Sequence, residues 1–210
     1  LNIEKFGANG ITVHPRPDER HIKYQDVRQL KKNITTELNI EGNPKEKSFI
    51  DLVLETSPTQ VTLVPDTTGQ LTSDHGWDTL KNKTFLIEMV NLFKSKNIRT
   101  SLFVDPEEKF IRGAKETGTD RIELYTESYA ANYKSDREKA ISTYIKAAEL
   151  AKKLDLGLNA GHDLNLENLK YFSSNIMNLK EVSIGHALIA DALNYGMENT
   201  VNMYLRELRK

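Results

Sequence analysis

The feature that most restricts what this chain can fold into is a rhythm that runs its whole length. Short β-branched apolar runs alternate with longer amphipathic stretches. The runs are ITVHPR (11–16), TELNIE (36–41), QVTLVP (60–65), RTSLFVD (99–105), RIELYT (121–126), LGLNAGH (156–162) and EVSIGHAL (181–188). Most have a continuous apolar core, the pattern of a parallel strand buried on both faces. The stretches between them carry helical spacing. In 135–154, Ser135 and Glu138 stand at capping-box distance, and Ile141, Tyr144, Ile145, Ala148, Ala151 and Leu154 form one stripe, with Gly157 beyond as a stop. Leu86, Met89, Val90 and Phe93 repeat the stripe in 79–96, as do Phe49, Leu52 and Val53 in 45–56. Strand and helix in alternation imply a parallel sheet with helical crossovers. No low-complexity tract or Pro-, Gly- or Ser-rich linker interrupts it, so residues 1–210 read as one domain.

Two architectures fit seven such strands. An open doubly wound sheet is possible, but no GxGxxG or GxxxxGK[ST] follows any strand. A (β/α)8 barrel needs one strand more. The opening LNIEKFGANG has the look of the last turns of a helix closed by Gly7 and Gly10, and in a barrel that helix would follow a first strand. The expected fold is therefore an α/β, (β/α)8 TIM barrel with extra helices, its first strand upstream of residue 1.

Composition narrows the chemistry. Hydrophobic residues at 38% and charged residues at 28% suit a globular chain with a real core. Lys+Arg 29 against Asp+Glu 30 leaves no net field to gather nucleic acid or anionic lipid. With no cysteine, thiolate nucleophiles and cysteine-ligated metals are excluded. No apolar run approaches the roughly 20 residues that span a bilayer, and the first residues are no signal peptide. A cytoplasmic setting is expected, with no nucleic acid or membrane partner.

The polar groups fall at strand ends, where the loops of a parallel barrel converge. His14 and Arg16 end the 11–16 run, with Arg20 and His21 just after; Glu41 ends the next. Glu123 lies in RIELYT beside Tyr125 and Thr126, His162 and Asp163 close the LGLNAGH run, and Gly185 and His186 close the last. Four of five histidines thus share one face, and His75 alone lies elsewhere. A lone strand-end histidine is more often structural, but four with two glutamates can pass protons through several steps. Gly185, where strand gives way to helix, suits a phosphate site, and Arg16 with His21 could hold a second anion. Trp77 in the long loop 66–78 reads as packing, and that loop as a lid. Lys94, Lys96, Lys152 and Lys153 read as solvated helix faces, and 197–209, with Val201, Tyr204, Leu205 and Leu208 on one side, as a packing or oligomer-contact helix.

ITVHPRPDERHI, ELNIE, VTLVPD, QLTSDHGWD, SLFVD, RIELYT, LNAGHDLN and SIGHALI together, in order and over essentially the whole chain, resemble the pyridoxine 5′-phosphate synthase family of deoxyxylulose-dependent vitamin B6 synthesis. The resemblance implies a (β/α)8 barrel assembled into octamers of dimers. It also implies condensation of 3-amino-2-oxopropyl phosphate with 1-deoxy-D-xylulose 5-phosphate, giving pyridoxine 5′-phosphate, phosphate and water without metal or organic cofactor. By the same resemblance His14 is a proton acceptor, Glu41 a second acid/base group, His162 the proton donor and Glu123 a transition-state stabiliser. Arg16, His21 and Thr72 match contacts to the deoxyxylulose phosphate. Asp163, Gly185 and His186 match positions that hold the aminoketone phosphate, and at Asp163 some relatives carry Gly, so a contact there would be through backbone. The family's first strand carries an Asn, an Asp–His pair and a following Arg that LNIEKFGANG does not supply.

Two other readings compete. A metal-dependent hydrolase barrel would use His14, His162, His186 and Glu41, although HPR is no HxH pair and the strands at 99–105 and 121–126 hold no His. A non-catalytic phosphosugar-binding barrel would not need His14, Glu41, Glu123 and His162 together.

Overall fold

A computed structural model describes residues 1–67 and 69–209; Thr68, within the expected lid loop, and Lys210 lie outside the described residues. The chain runs α1 (Asn2–Lys5), β1 (Gly10–Val13), α2 (Tyr24–Asn33), β2 (Glu37–Gly42), α3 (Lys47–Thr56), β3 (Gln60–Leu63), α4 (Lys83–Lys94) and β4 (Arg99–Val104). It continues through α5 (Glu108–Glu116), β5 (Arg121–Tyr125), α6 (Glu127–Asn132), α7 (Arg137–Lys153), β6 (Gly157–Gly161), α8 (Leu169–Asn175), β7 (Leu179–Ser183), α9 (His186–Tyr195) and α10 (Met197–Glu207). All seven strands pair in sequence order and in parallel, each with the next. They curl into a nearly closed barrel. β1 and β7 form its two edges, with Thr12 Oγ1 and Ser183 Oγ 3.5 Å apart. The (β/α)8-type reading holds, with seven of its strands in the described residues.

The strands are not apolar on both sides, as the runs suggest. Outward-facing Leu38, Ile40, Val61, Leu63, Leu102, Val104, Ile122, Leu124, Leu158 and Ala160 are buried against the helices. The alternate residues Asn39, Gln60, Thr62, Ser101, Glu123 and Asn159 are buried as well, yet polar. Gln60 Nε2 on β3 reaches Glu181 Oε1 on β7 at 3.3 Å, which only residues lining a shared lumen can do. Strand alternation is therefore present but disguised, because Thr, Asn and Ser break an apolar run less visibly than charges do.

Local signals are corrected in four places. The N-cap of α7 is Asp136, whose carboxylate accepts from the Lys139 N–H at 2.9 Å, whereas the Ser135 hydroxyl donates to the Asn132 carbonyl at the end of α6. Gly10 does not close α1; it opens β1 opposite Glu37, and Gly7, at φ +106°, makes the turn. The last strand ends at Ser183, so Gly185 is the N-cap of α9 and His186 its first residue. Lys94 is more than a solvated group, since its Nζ holds Asp120 at 2.7 Å.

The loop after β3 is firmly seated at its far end. Trp77 is buried and donates its indole N–H to the Leu63 carbonyl at 3.0 Å, while its backbone N–H bonds the Phe103 carbonyl at 2.8 Å. Gly76 lies so close to β4 that a Cβ there would meet Val104 Cα at 2.4 Å. Backbone, unlike a side-chain tip, has nowhere to go. Gly76→Ala is expected to destabilise the protein by roughly 1–3 kcal/mol through overpacking and to loosen the loop. Thermal melts with limited proteolysis will show it; an unchanged melt would mean the loop is not anchored here.

Candidate active site

The expected residues collect at the C-terminal ends of the strands. His14 and Arg16 follow β1, Glu41 is on β2, Glu123 on β5, and His162 follows β6. Register explains the convergence: Glu41 pairs with Thr62, and Phe103 with Glu123, which in turn pairs with Asn159, so successive strands deliver polar groups into one lumen.

His14 sits between two carboxylates. Its Nδ1 lies 3.8 Å from Glu41 Oε2 and its Nε2 3.9 Å from Asp66 Oδ2. Burial, and then the Arg16 charge, drive the imidazole down to about 4, with Asp66 opposing. Burial, then the charges of Glu181 and Asp66, push Glu41 up to about 8, with Arg16 opposing. At neutral pH the histidine is therefore unprotonated and the glutamate carries a proton. Glu123 is 2% exposed, has no partner for Oε2, and is driven well above the ordinary carboxylate range by burial and by Glu41 and Glu181. Gly161 makes room for it: a Cβ there would stand 2.2 Å from Glu123 Oε1.

His162 closes the opposite side. Its Nε2 is 3.0 Å from the Thr72 hydroxyl and its Nδ1 2.9 Å from Asp163 Oδ2, and the Tyr125 ring meets it edge-on at 4.9 Å. Both His162 (φ +83°) and Asp163 (φ +59°) hold left-handed backbone, a cost offset by the Thr126 hydroxyl bonding the Gly161 and His162 carbonyls and Asn168 bonding that of Asp163. Thr72 therefore touches the expected proton donor rather than standing apart on a remote lid, and the Asp163 side chain is engaged with a histidine.

Basic groups gather at the β1 side. Arg16 is buried, pairs through Nη2 with Asp66 Oδ2 at 3.0 Å, and keeps a buried Nε with no partner. Arg20 and Arg16 both donate to the Gln70 carbonyl of the loop. His21 is exposed, and burial of its ring with the charges of Arg20, Arg16 and His186 lowers its proton affinity, so His21 and His186 face one region. Gly185 and His186 are exposed, with open space around Gly185. Sequence reasoning missed Asp66, although it ends the quoted VTLVPD. Its signal was a carboxylate directly after a buried strand. Among the described residues no group of three or more His, Asp or Glu is arranged to hold a metal, so the His14, His162, His186 and Glu41 set of the hydrolase alternative does not assemble. No helix among them is long and apolar enough to cross a membrane.

Stability should record the proton on Glu41. A group raised in the folded state stabilises fully below its unfolded value of 4.5 and loses that contribution as pH climbs through about 8. Glu41→Gln, which mimics the protonated side chain, should leave the melting temperature near that of the unmutated protein at pH 5. Above pH 8 it should raise it, at roughly 2–4 °C per kcal/mol. Equal melting temperatures at both pH values would mean Glu41 is ionised in the fold.

Comparison with known proteins agrees with this geometry. A family model described as pyridoxal phosphate biosynthesis protein PdxJ matches residues 1–210. A Flavobacterium johnsoniae protein named pyridoxine 5′-phosphate synthase is 60% identical over 208 residues, 99% of this chain and 87% of that protein. A Cytophaga hutchinsonii protein of the same name is 59% identical over 210 residues, 100% of this chain and 88% of that protein. Among solved structures, phosphoribosylanthranilate isomerase from Thermotoga maritima superposes with a TM-score of 0.61 at 13% identity, covering 98% of this chain and 90% of that one, a likeness of fold alone. A monomeric form of the same isomerase gives 0.63 at 14% identity. The chain belongs to the PdxJ family of pyridoxal phosphate biosynthesis proteins, whose members include named pyridoxine 5′-phosphate synthases.

Proposed function

We propose that this chain, acting as one barrel unit over 1–210, condenses 3-amino-2-oxopropyl phosphate with 1-deoxy-D-xylulose 5-phosphate to give pyridoxine 5′-phosphate, phosphate and water. The observation that carries the reading is the opposed proton load of His14 and Glu41, 3.8 Å apart, facing a His162 held by Thr72 and Asp163. A ring-forming condensation needs such a set. The amine of one substrate must lose a proton as it attacks the ketone of the other, water and phosphate must leave, and a carbon acid must be deprotonated before ring closure.

Unprotonated His14 serves as the first acceptor. Glu41, protonated at rest, gives its proton to a departing oxygen and takes one back in a later step. Glu123 stays neutral and stabilises developing charge by hydrogen bonding, since an ionised carboxylate there would be unpaired in a buried lumen. His162 takes a proton on Nε2, which faces Thr72, in an earlier step and returns it last, while Asp163 holds the Nδ1–H. Arg16, through its free Nε, joins His21 and Thr72 as the anion contacts for the deoxyxylulose phosphate. The open N-terminus of α9 at Gly185 and His186, with the Asp163 backbone, receives the aminoketone phosphate. The non-catalytic alternative predicts phosphate-ligand binding without turnover. A homo-oligomer, an octamer of dimers, and a cytoplasmic setting belong to the same proposal. The oligomer is supported by the apolar exposure of Ile189 and of Leu193 (85% exposed) on α9.

The assay is product formation from the two phosphates. Its kcat/KM should rise as His14 loses its proton near pH 4 and fall as Glu41 loses its own near pH 8. Activity that stays flat up to pH 10 would remove the proton-donating role of Glu41. His162→Asn should keep the melting temperature and lower turnover by roughly 10²–10⁴-fold. Turnover within a few-fold of the unmutated protein would reject the donor role. Ligand-stabilised protein that forms no product would bring the binding-only reading forward.

A further inference from the structure

Asp66, three residues after the end of β3, is 6% exposed and joins three parts of the molecule through a single oxygen. Its Oδ2 accepts from the Ser73 hydroxyl at 2.7 Å, pairs with Arg16 Nη2 at 3.0 Å and faces His14 Nε2 at 3.9 Å. Its own carbonyl is pinned by Asn43 Nδ2 at 2.8 Å, so the carboxylate cannot swing away with the loop. Oδ1 is buried without a partner. A carboxylate needed only as a structural staple would use both oxygens on cations or backbone N–H groups, because an unsatisfied buried acceptor costs about 1–3 kcal/mol.

We propose that Asp66 is a positioning residue for the condensation: one oxygen orients Arg16 and, through Ser73, fastens the loop that carries Thr72 to His162, while its charge sets the proton balance of the His14–Glu41 pair. The inference rests on the proposed roles of His14, Glu41 and Arg16. The three tasks are separable. Ser73 supplies the tether alone, and the charge alone acts across His14 on Glu41.

The electrostatic surroundings fix the sign. Glu41 faces His14 and Arg16 from the segment after β1, Asp66 from the segment after β3, Glu123 from β5 and Glu181 from β7. His14 faces Glu41, Asp66, Arg16, Arg20 and His21. Removing the Asp66 charge withdraws one of the two anions that hold the proton on Glu41, so Glu41 must titrate at lower pH. It also leaves Arg16 without its counter-charge.

The test uses the full chain and needs no substrate for its first readout. Carbon-13 NMR of the glutamate carboxyls, with Glu41 assigned by Glu41→Gln, gives the Glu41 midpoint in each variant. Asp66→Asn should lower that midpoint by roughly half a pH unit or more; Ser73→Ala and Asp66→Glu should leave it in place. In the condensation assay Asp66→Asn should shift the basic limb by the same amount and reduce kcat. Ser73→Ala should raise KM for the deoxyxylulose phosphate several-fold with the limb unmoved. An unmoved Glu41 midpoint in folded Asp66→Asn overturns the electrostatic role. If that variant does not fold, wild-type kinetics in Ser73→Ala overturns the tether. If the unmutated chain forms no pyridoxine phosphate, the proposed function falls, and the NMR midpoint still decides whether Asp66 sets the Glu41 proton.

Discussion

Burying three carboxylates in one lumen is the constraint on which the rest of this structure depends. Glu41, Glu123 and Glu181 repel one another across the barrel; among the described residues Glu181 is the one of the three paired with arginines, Arg121 at 3.0 Å and Arg99 at 4.0 Å, while the Arg16 charge opposes the rise of Glu41. Those arginines lie at the N-terminal ends of β5 and β4. One set of positive charges therefore lies at the bottom of the lumen, where Gln60 and Asn159 complete the network. Toward the top, among the described residues, neither Glu41 nor Glu123 forms an ion pair with an arginine, and Arg16 pairs with Asp66 instead. Burial and mutual repulsion raise both groups instead, because an isolated buried anion is far more costly than a neutral acid.

The outer layer makes this lumen tolerable. The strands' outward side chains and the helices bury a continuous apolar shell, reinforced by the Tyr129, Tyr144 and Phe172 rings that stack at 5.0–5.9 Å between α6, α7 and α8. That shell supplies the hydrophobic burial, so the inner face is free to be polar. Thr62 spans both demands. It is fully buried, donates its hydroxyl to Asn39 at 3.1 Å, and neighbours Glu123 closely enough to temper its rise.

Much of this was legible in the sequence, and what was not has physical reasons. Parallel strands announce themselves by β-branched runs, and α7 by a stripe of apolar residues at helical spacing. His14, Glu41, Glu123 and His162 stand at strand ends because a parallel barrel puts every such end on one face. The polarity of the lumen was hidden, since Thr, Asn and Ser within an apolar run look like minor interruptions until the register stacks Glu41 against Thr62 and Thr62 against Ser101. The Asp136 cap was missed because Ser135 offered an equally good hydroxyl one residue earlier, and only the end of α6 decides which is spent elsewhere. Asp66 was invisible for another reason. Its importance lies in contacts 7, 50 and 52 positions away along the chain, to Ser73, Arg16 and His14.

Those contacts also connect the loop to the chemistry. Trp77 and Gly76 seat the far end of the loop on β3 and β4, while Ser73 on Asp66 and Thr72 on His162 hold the near part against the site. Arg16 and Arg20 reach the same loop at the Gln70 carbonyl. Substrate phosphate at Arg16 would compete with Asp66 for the guanidinium, and Asp66 is the group to which Ser73 is tied. Under the proposed mechanism, anion binding, loop position and the proton on Glu41 would share this one carboxylate, so that a change in any of the three would alter the electrostatic surroundings of the other two.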